Sequence, residues 1–187
     1  MNKEYSEYYY LLHIMDQTYA SLISVSNKLQ MTGDQICGDL TSRQFMTLLA
    51  VLHLTEDEAT MINIANKLGS TKQNTARLIK SLERKKYISV GPSEKDKRAV
   101  NVRLTHLGTD AILKYGSTAK VDFMAAIFKD FDKDEVETLW RLLIKLYRFD
   151  GGDMDGFEEN IQIPHTDIEE EHQIAVERFI KKRNETL

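Results

Sequence analysis

The chain has 187 residues, of which 42% are hydrophobic and 29% charged, a composition typical of one globular domain. Two prolines and nine glycines are too few for a collagen-like or low-complexity chain, and they favour long helices. The single cysteine excludes a disulfide framework. No apolar run reaches the roughly 18 residues of a membrane-spanning helix, and no signal peptide is recognisable, so we expect a cytoplasmic protein without a membrane partner.

One part of the chain differs sharply in charge from the rest. The net charge is −4, yet residues 67–103 carry 11 Lys and Arg against three acidic residues, a local net charge of +8 that leaves −12 elsewhere. Charge segregated in this way creates a local positive field that attracts a polyanion. We therefore look for the function in this window.

Hydrophobic spacing predicts four helices, a hairpin and at least two further helices. The predicted bounds, in chain order, are helices over residues 8–29, 41–52, 62–68 and 71–86, strands over 87–90 and 99–104, and helices over 105–131, 132–147 and 168–180. A loop bracketed by Gly33 and Gly38 separates the first two helices.

Capping signals support several of these helix ends. Ser70 with Gln73 three residues later predicts a capping box at the start of the fourth helix. Thr105 is the predicted N-cap of the helix after the hairpin, and Asp132 with Glu135 predicts another capping box. Thr41 with Gln44 has the same spacing at the start of the second helix.

The third and fourth helices have the pattern of a helix-turn-helix, because a short helix ends at Gly69 before a capped helix rich in polar and basic side chains. The predicted DNA-binding residues of the fourth helix are Ser70, Thr71, Lys72, Gln73, Asn74, Arg77 and Lys80. We expect Gln73, Asn74 and Arg77 to read bases in the major groove, whereas Ser70, Thr71 and Lys72 suit phosphate.

The hairpin carries a charged tip over residues 91–98 and is interpreted as a wing. Its Lys95, Lys97 and Arg98 can reach the DNA backbone or a narrow minor groove. Basic residues on one helix alone could be a solvated face, but a charged hairpin directly after a helix-turn-helix favours DNA binding.

Four motifs follow one another between Leu40 and Gly108: Leu40-Thr41 with Gln44-Phe45, IANKLGSTKQNTARLIKSLERKKYI, Asp96-Lys97-Arg98, and LTHLG. In order and spacing they resemble the MarR family of bacterial winged-helix transcriptional regulators. The resemblance implies a mainly helical winged helix-turn-helix with a small β-hairpin wing, dimeric through long terminal helices. It also implies that Asp96 steadies Arg98 for the minor groove.

The resemblance divides the chain into four segments. Residues 1–35 are the N-terminal dimerisation helix, 40–104 the winged DNA-binding lobe, 105–149 the C-terminal dimerisation helices, and 150–187 an acidic, partly helical extension. This extension has 11 acidic and four basic residues and lies outside the family pattern. Two residues depart from that pattern: Lys86 stands where a Gly usually ends the recognition helix, and Val90 replaces an Arg often found at the end of the first wing strand.

The function implied is a sequence-specific regulator, expected to be a repressor, that binds a pseudo-palindromic operator in double-stranded DNA as a homodimer and is released by a small-molecule effector. The alternative is a winged-helix protein–protein interaction module without sequence-specific DNA binding. Salt dependence of duplex binding distinguishes them. His13 could line an effector pocket, although a lone His on a helix is more often a packing or solvent residue.

Enzymatic activity has the least support. The sequence has no Gly-rich phosphate loop, no HExxH and no nucleophile elbow, so we expect no catalytic residue, metal site or cofactor. Cys37 has no basic cluster around it and is expected to be an inert thiol.

Overall fold

The computed structural model describes residues 3–92, 100–152 and 168–185. These described residues are mainly helical and contain one two-stranded antiparallel hairpin, as predicted. The elements are α1 (Lys3–Ile36), α2 (Ser42–Leu52), α3 (Met61–Lys67), α4 (Lys72–Arg84), β1 (Ile88–Pro92), β2 (Val100–Leu104), α5 (His106–Gly116), α6 (Ala119–Ile127), α7 (Lys133–Tyr147) and α8 (Ile168–Asn184). None of the described helices is both long and apolar enough to cross a membrane.

Residues 1–42 form one compact unit built on α1. The predicted loop from Gly33 is wrong, because the amide of Cys37 donates to the Gly33 carbonyl at 3.0 Å and the helix continues to Ile36. The chain turns at Gly38 instead, which has a left-handed φ of 60°. The amide of Ser42 then donates to the Asp34 carboxylate at 2.6 Å and closes the turn.

Residues 43–187 form the second unit, whose core lies in the winged-helix lobe. Leu48 from α2, Ile64 from α3, Leu82 from α4 and Val102 from β2 are all at most 1% exposed. Each of these elements thus contributes a fully buried side chain to one core, which holds α4 against the rest of the lobe.

The hairpin is joined to the segment before α3. β1 and β2 pair antiparallel from Ile88 opposite Leu104 to Pro92 opposite Val100. The amide of Val102 donates to the Ala59 carbonyl at 2.8 Å, and the buried Asn101 side chain donates to the Glu56 carbonyl at 2.7 Å. The acidic turn of residues 56–58 is thereby fixed to the base of the wing.

The helix predicted over residues 105–131 is interrupted, so that prediction is wrong in its length. α5 ends at Gly116, and α6 begins after Thr118. The hydroxyls of Ser117 and Thr118 donate to the carbonyls of Leu113 and Lys114 at 3.0 and 2.6 Å. A glycine followed by two hydroxyl side chains that bond the preceding turn weakens a helix at this point.

The predicted start of α7 and the predicted stop at Gly151 are confirmed, whereas the last helix is longer than predicted. Asp132 and Glu135 form the predicted capping box of α7, with hydrogen bonds of 2.8 and 3.0 Å. After α7 a short 3-10 turn (Arg148–Asp150) ends at Gly151, which has a left-handed φ of 84°. α8 extends to Asn184, four residues beyond its predicted end.

α4 is followed by a left-handed residue that is not glycine. Lys86 has a φ of 65°, its amide donates to the Glu83 carbonyl at 2.9 Å, and the amide of Tyr87 donates to the Leu82 carbonyl at 3.0 Å. These two bonds define a Schellman motif, in which glycine is favoured because it has no Cβ. Lys86 therefore takes the conformation that the family pattern assigns to glycine.

Tyr87 lies between α4 and the hairpin, and its backbone carbonyl contacts the N-cap of α5. This carbonyl accepts from the Thr105 amide and lies 3.1 Å from the Thr105 hydroxyl, which also lies 2.7 Å from the Lys86 carbonyl. Thr105 caps α5 as predicted, accepting from the Gly108 amide at 3.1 Å. A Cβ on Gly108 would lie far inside contact distance of the Tyr87 carbonyl oxygen.

We expect Gly108→Ala to destabilise the protein by about 3 kcal/mol or more, because backbone must move to make room for the methyl group. Gly116→Ala is the matched control in the same helix, since a Cβ there would meet nothing within 4 Å. We expect it to be neutral or to stabilise by up to about 1 kcal/mol. Urea denaturation measures both variants, and equal midpoints would contradict the close approach.

We expect Lys86→Gly to stabilise the protein by about 0.5–1 kcal/mol, because a glycine relieves the left-handed strain but adds backbone entropy to the unfolded chain. Arg84→Gly is the control, since it removes one charge from the last turn of the same helix without relieving any left-handed residue. It should destabilise by up to about 1 kcal/mol. A Lys86→Gly variant that melts below the original protein would refute the strain argument.

Candidate nucleic-acid interface

The turn before α4 fixes the direction in which that helix leaves α3. Gly69 has a φ of 56°, its amide donates to the Asn66 carbonyl at 3.0 Å, and the amide of Ser70 donates to the Ala65 carbonyl at 2.9 Å. This second Schellman motif confirms Gly69 as the end of the third helix. The turn is therefore hydrogen-bonded and not a loose linker.

The N-cap of α4 is Thr71, so the prediction of Ser70 as the cap is wrong by one residue. The Thr71 hydroxyl accepts from the Asn74 amide at 3.2 Å, and the helix begins at Lys72. The backbone of Ser70 already completes the end of α3, which moves the start of α4 one residue on. As an acceptor, the Thr71 oxygen keeps its hydrogen to donate to another group.

The predicted DNA-binding residues of α4 lie at its N-terminal end and along its exposed face as far as Lys80. Ser70 is half-buried, and the exposed residues are Thr71, Lys72, Gln73, Asn74, Arg77 and Lys80. The first turn carries no acidic side chain. Unpaired amides and the positive end of the helix dipole favour an anion at this end, and the side chains add donors around it.

The opposite face of α4 is buried in the lobe. Thr75, Ile79 and Leu82 are at most 3% exposed, which prevents this face from reaching solvent. The helix therefore presents one polar, basic face outward and has its other face fixed by packing.

Gln44 contributes a contact that sequence analysis missed, because the sequence suggested only a capping role for it. Its side-chain nitrogen donates to the Ser81 hydroxyl at 3.0 Å, and its side-chain oxygen accepts from the Lys85 ammonium at 3.2 Å. These partners lie 37 and 41 residues further along the chain. No local spacing rule connects residues so far apart.

The predicted wing residues Lys95, Asp96, Lys97 and Arg98 lie outside the described residues. The base of the wing is described, and there Val90 pairs with Val102. Arg103, which sequence analysis counted only as part of the local charge, lies on β2 opposite Ser89. Its side chain is about one-third exposed and lies 4.0 Å from the Glu56 carboxylate.

Two residues weighed for other roles lie on α1 and in the loop that follows it. His13 is exposed on α1. Burial raises the pKa of the Cys37 thiol, the nearby Asp34 charge raises it further, and a hydrogen bond with Ser42 opposes the shift. A raised pKa keeps the thiol protonated at neutral pH, and the protonated form is the unreactive one.

Comparison with known proteins relates the lobe to a family. Residues 38–99 match a sequence-family model described as MarR family. No curated protein sequence matches the chain. Among solved structures, the MepR–DNA complex of S. aureus is 26% identical with a TM-score of 0.61, and the alignment covers 69% of this chain and 96% of that chain. A MarR/EmrR family transcriptional regulator from Acinetobacter sp. ADP1 is 25% identical, with a TM-score of 0.62 and coverages of 72% and 95%.

A cysteine-to-serine variant of E. coli MarR in complex with operator DNA is 24% identical, with a TM-score of 0.63, and supports the fold alone. Its alignment covers 73% of this chain and 97% of that chain. These structures are thus matched over nearly their whole length, whereas more than a quarter of this chain has no counterpart in them. The resemblance to the MarR family that the sequence motifs predicted is thus confirmed for residues 38–99, which lie largely in the winged-helix lobe.

Proposed function

We propose that the chain is a DNA-binding transcriptional regulator that recognises its operator through α4. The proposal depends on one observation: the N-terminal half of α4 exposes Gln73, Asn74 and Arg77 beside a helix end that has no acidic residue in its first turn. Amide and guanidinium groups are the side chains that pair with adenine and guanine edges. The 26% identical MepR structure is a complex with DNA, which supports the same role here.

The wing completes the proposed interface. We place Lys95, Lys97 and Arg98 at the minor groove, with Asp96 holding Arg98, as the family resemblance implies. Thr71, Lys72 and Lys80 contact phosphates beside the base readers, and Ser70 lies at the edge of this contact. Repression of transcription and release by a small-molecule effector near His13 are further parts of the proposal, and they rest on the resemblance.

The regulator acts as a homodimer in this proposal. Large apolar side chains are exposed along both terminal helical regions, which include Tyr8 and Tyr19 on α1 and Trp140 and Leu142 on α7, all more than half exposed. None of the 15 residues of α7, all of them described, is buried. Apolar surface of this extent favours association, and a two-fold axis presents two recognition helices to one duplex.

The acidic extension ends in α8, which packs against α6 of the same chain. The Arg178 guanidinium donates two hydrogen bonds of 2.6 Å to the Asp122 carboxylate. Arg183 donates to the carbonyls of Phe128 and Phe131 at 3.0 and 2.9 Å. These carbonyls lie just after the last residue of α6, where the helix dipole favours a cation.

We propose that α8 stabilises the C-terminal helices and is not part of the DNA surface. A 17-residue helix is marginal on its own in water, so its order depends on the contacts with α6. Arg178 lowers the pKa of Asp122 through their hydrogen bonds. This contribution to stability is present above the ordinary carboxyl range and is lost when the pH falls through the lowered pKa.

We expect duplexes selected from a random pool by the full chain to contain an inverted repeat with half-site centres about one helical turn apart. On the selected duplex, Arg77→Ala should weaken binding by about 1–3 kcal/mol and relax preference at one base pair, because it removes a base reader. Lys72→Ala is the control, since it removes only a phosphate contact and should weaken selected and scrambled duplexes alike.

Titrations at several salt concentrations measure this difference. Lys72→Ala should reduce the slope of log affinity against log salt by about one. An Arg77→Ala protein that kept its affinity and selectivity would contradict the assignment of readers. Binding without salt dependence would favour the interaction module, and selected sites without two-fold symmetry would contradict the dimer.

We expect Asp122→Asn and Arg178→Gln each to speed amide exchange throughout α8, because each removes one partner of the anchoring ion pair. The double variant should be no worse than either single variant, since the two residues act through one interaction. Glu177→Gln is the control on α8, because Glu177 hydrogen-bonds Gln173 within the same helix. Hydrogen exchange with unchanged α8 protection in both single variants would show that the ion pair does not hold α8.

A further inference from the structure

Gln44 is a buried polar side chain at the contact between α2 and α4. It is 7% exposed, and both ends of its amide are used: the nitrogen donates to Ser81, and the oxygen accepts from Lys85. Ser81 lies in the C-terminal half of α4 and Lys85 is its C-cap, and both follow the exposed residues of the proposed DNA interface. The amide therefore ties α2 to the end of α4 that is farther from the proposed base contacts.

The anchored positions and the proposed base readers share one side of α4. Asn74, Arg77, Ser81 and Lys85 follow one another at spacings of three and four residues, which places them along one row of a helix. The first two are exposed, and the last two hold the amide of Gln44. A rotation of α4 about its axis would therefore move the readers and stretch the Gln44 contacts together.

Directional bonds restrict such a rotation more than apolar packing does. Ile79 and Leu82 attach α4 to the core by contacts that have little directional preference. With a helix radius of about 5–6 Å including side chains, a rotation of about 20° moves the side-chain tips by about 2 Å. A displacement of that size breaks a hydrogen bond to Gln44, and it breaks a hydrogen bond from a reader to a base edge as well.

We propose that Gln44 is a positioning residue that fixes the rotation of α4 and thereby sets the base selectivity of the proposed interface. The inference rests on the proposed DNA-binding function and deepens it. Gln44 itself is buried and does not contact DNA in this proposal. It acts through Ser81 and Lys85 on the helix that carries Arg77 and Asn74.

A purely structural role would have a different signature. If Gln44 only added stability, its replacement would lower the melting temperature and leave the folded protein with unchanged selectivity. A positioning role instead changes the ratio of affinities for the selected and a scrambled duplex in protein that remains folded. The affinity for the scrambled duplex depends mainly on phosphate contacts and should change little.

The experiment uses the full chain with Gln44→Leu, Gln44→Glu and Ser81→Ala. The probes are the duplex that the unaltered chain selects from a random pool and a scrambled duplex of the same length and composition. Gln44→Leu removes both hydrogen bonds and should lower the affinity ratio about tenfold with an unchanged salt slope. Gln44→Glu should recover most of the ratio, because its carboxylate can accept from both the Ser81 hydroxyl and the Lys85 ammonium. Ser81→Ala should give an intermediate ratio.

An unchanged ratio in Gln44→Leu would overturn the proposal, and so would a Gln44→Glu protein no more selective than Gln44→Leu. Should Gln44→Leu fail to fold, Ser81→Ala decides the question, because it removes one contact without placing a new side chain in the core. An unchanged ratio in that variant would then overturn the proposal. If the unaltered chain bound both duplexes equally well, sequence-specific binding itself would be contradicted. The positioning role of Gln44 would then be contradicted as well.

Discussion

The close approach of α5 to the Tyr87 carbonyl is the constraint on which the winged lobe depends. That carbonyl accepts from the Thr105 amide, and Gly108 leaves the space that a Cβ would fill. α4 ends at Arg84, three residues before Tyr87, and the first strand of the hairpin begins at Ile88, directly after Tyr87. The directions of α4, the hairpin and α5 are therefore set at one peptide group, so a displacement of α5 is carried to the helix that we propose reads DNA.

Backbone hydrogen bonds fix the chain on both sides of α4, whereas the properties of its exposed face depend on its side chains. Gly69 and Lys86 each take a left-handed conformation, and each begins a pair of hydrogen bonds that fixes the adjoining helix end. Between them, the buried face packs in the core and the polar face reaches solvent. Because the two sets of residues are separate, the exposed residues can differ between proteins without changing the position of the helix. One fold can therefore carry many different binding sites.

The elements that could be predicted from sequence are those with a local signal. Gly69, Thr105 and the Asp132–Glu135 box act within four residues, and each is confirmed. The cap of α4 was misplaced by one residue because Ser70 and Thr71 are both good caps and only the end of α3 decides between them. The bonds of Gln44 to Ser81 and of Arg178 to Asp122 join residues 37 and 56 positions apart, so spacing rules could not find them.

α8 is attached to α6 through contacts near both ends of α6. Arg183 brings a cation to carbonyls after α6, and Arg178 pairs with a carboxylate one turn into the same helix. Both contacts are charge-assisted hydrogen bonds. The position of α8 against α6 therefore depends on hydrogen-bond geometry and charge as well as on buried apolar area. Two of the four basic residues of the acidic extension, Arg178 and Arg183, thus bind α6 and the carbonyls at its end. The extension as a whole has 11 acidic and four basic residues, and a net negative charge of this size is repelled by DNA. Charge therefore separates the two roles that we propose: the basic window of residues 67–103 suits a polyanion, and the extension stabilises the C-terminal helices.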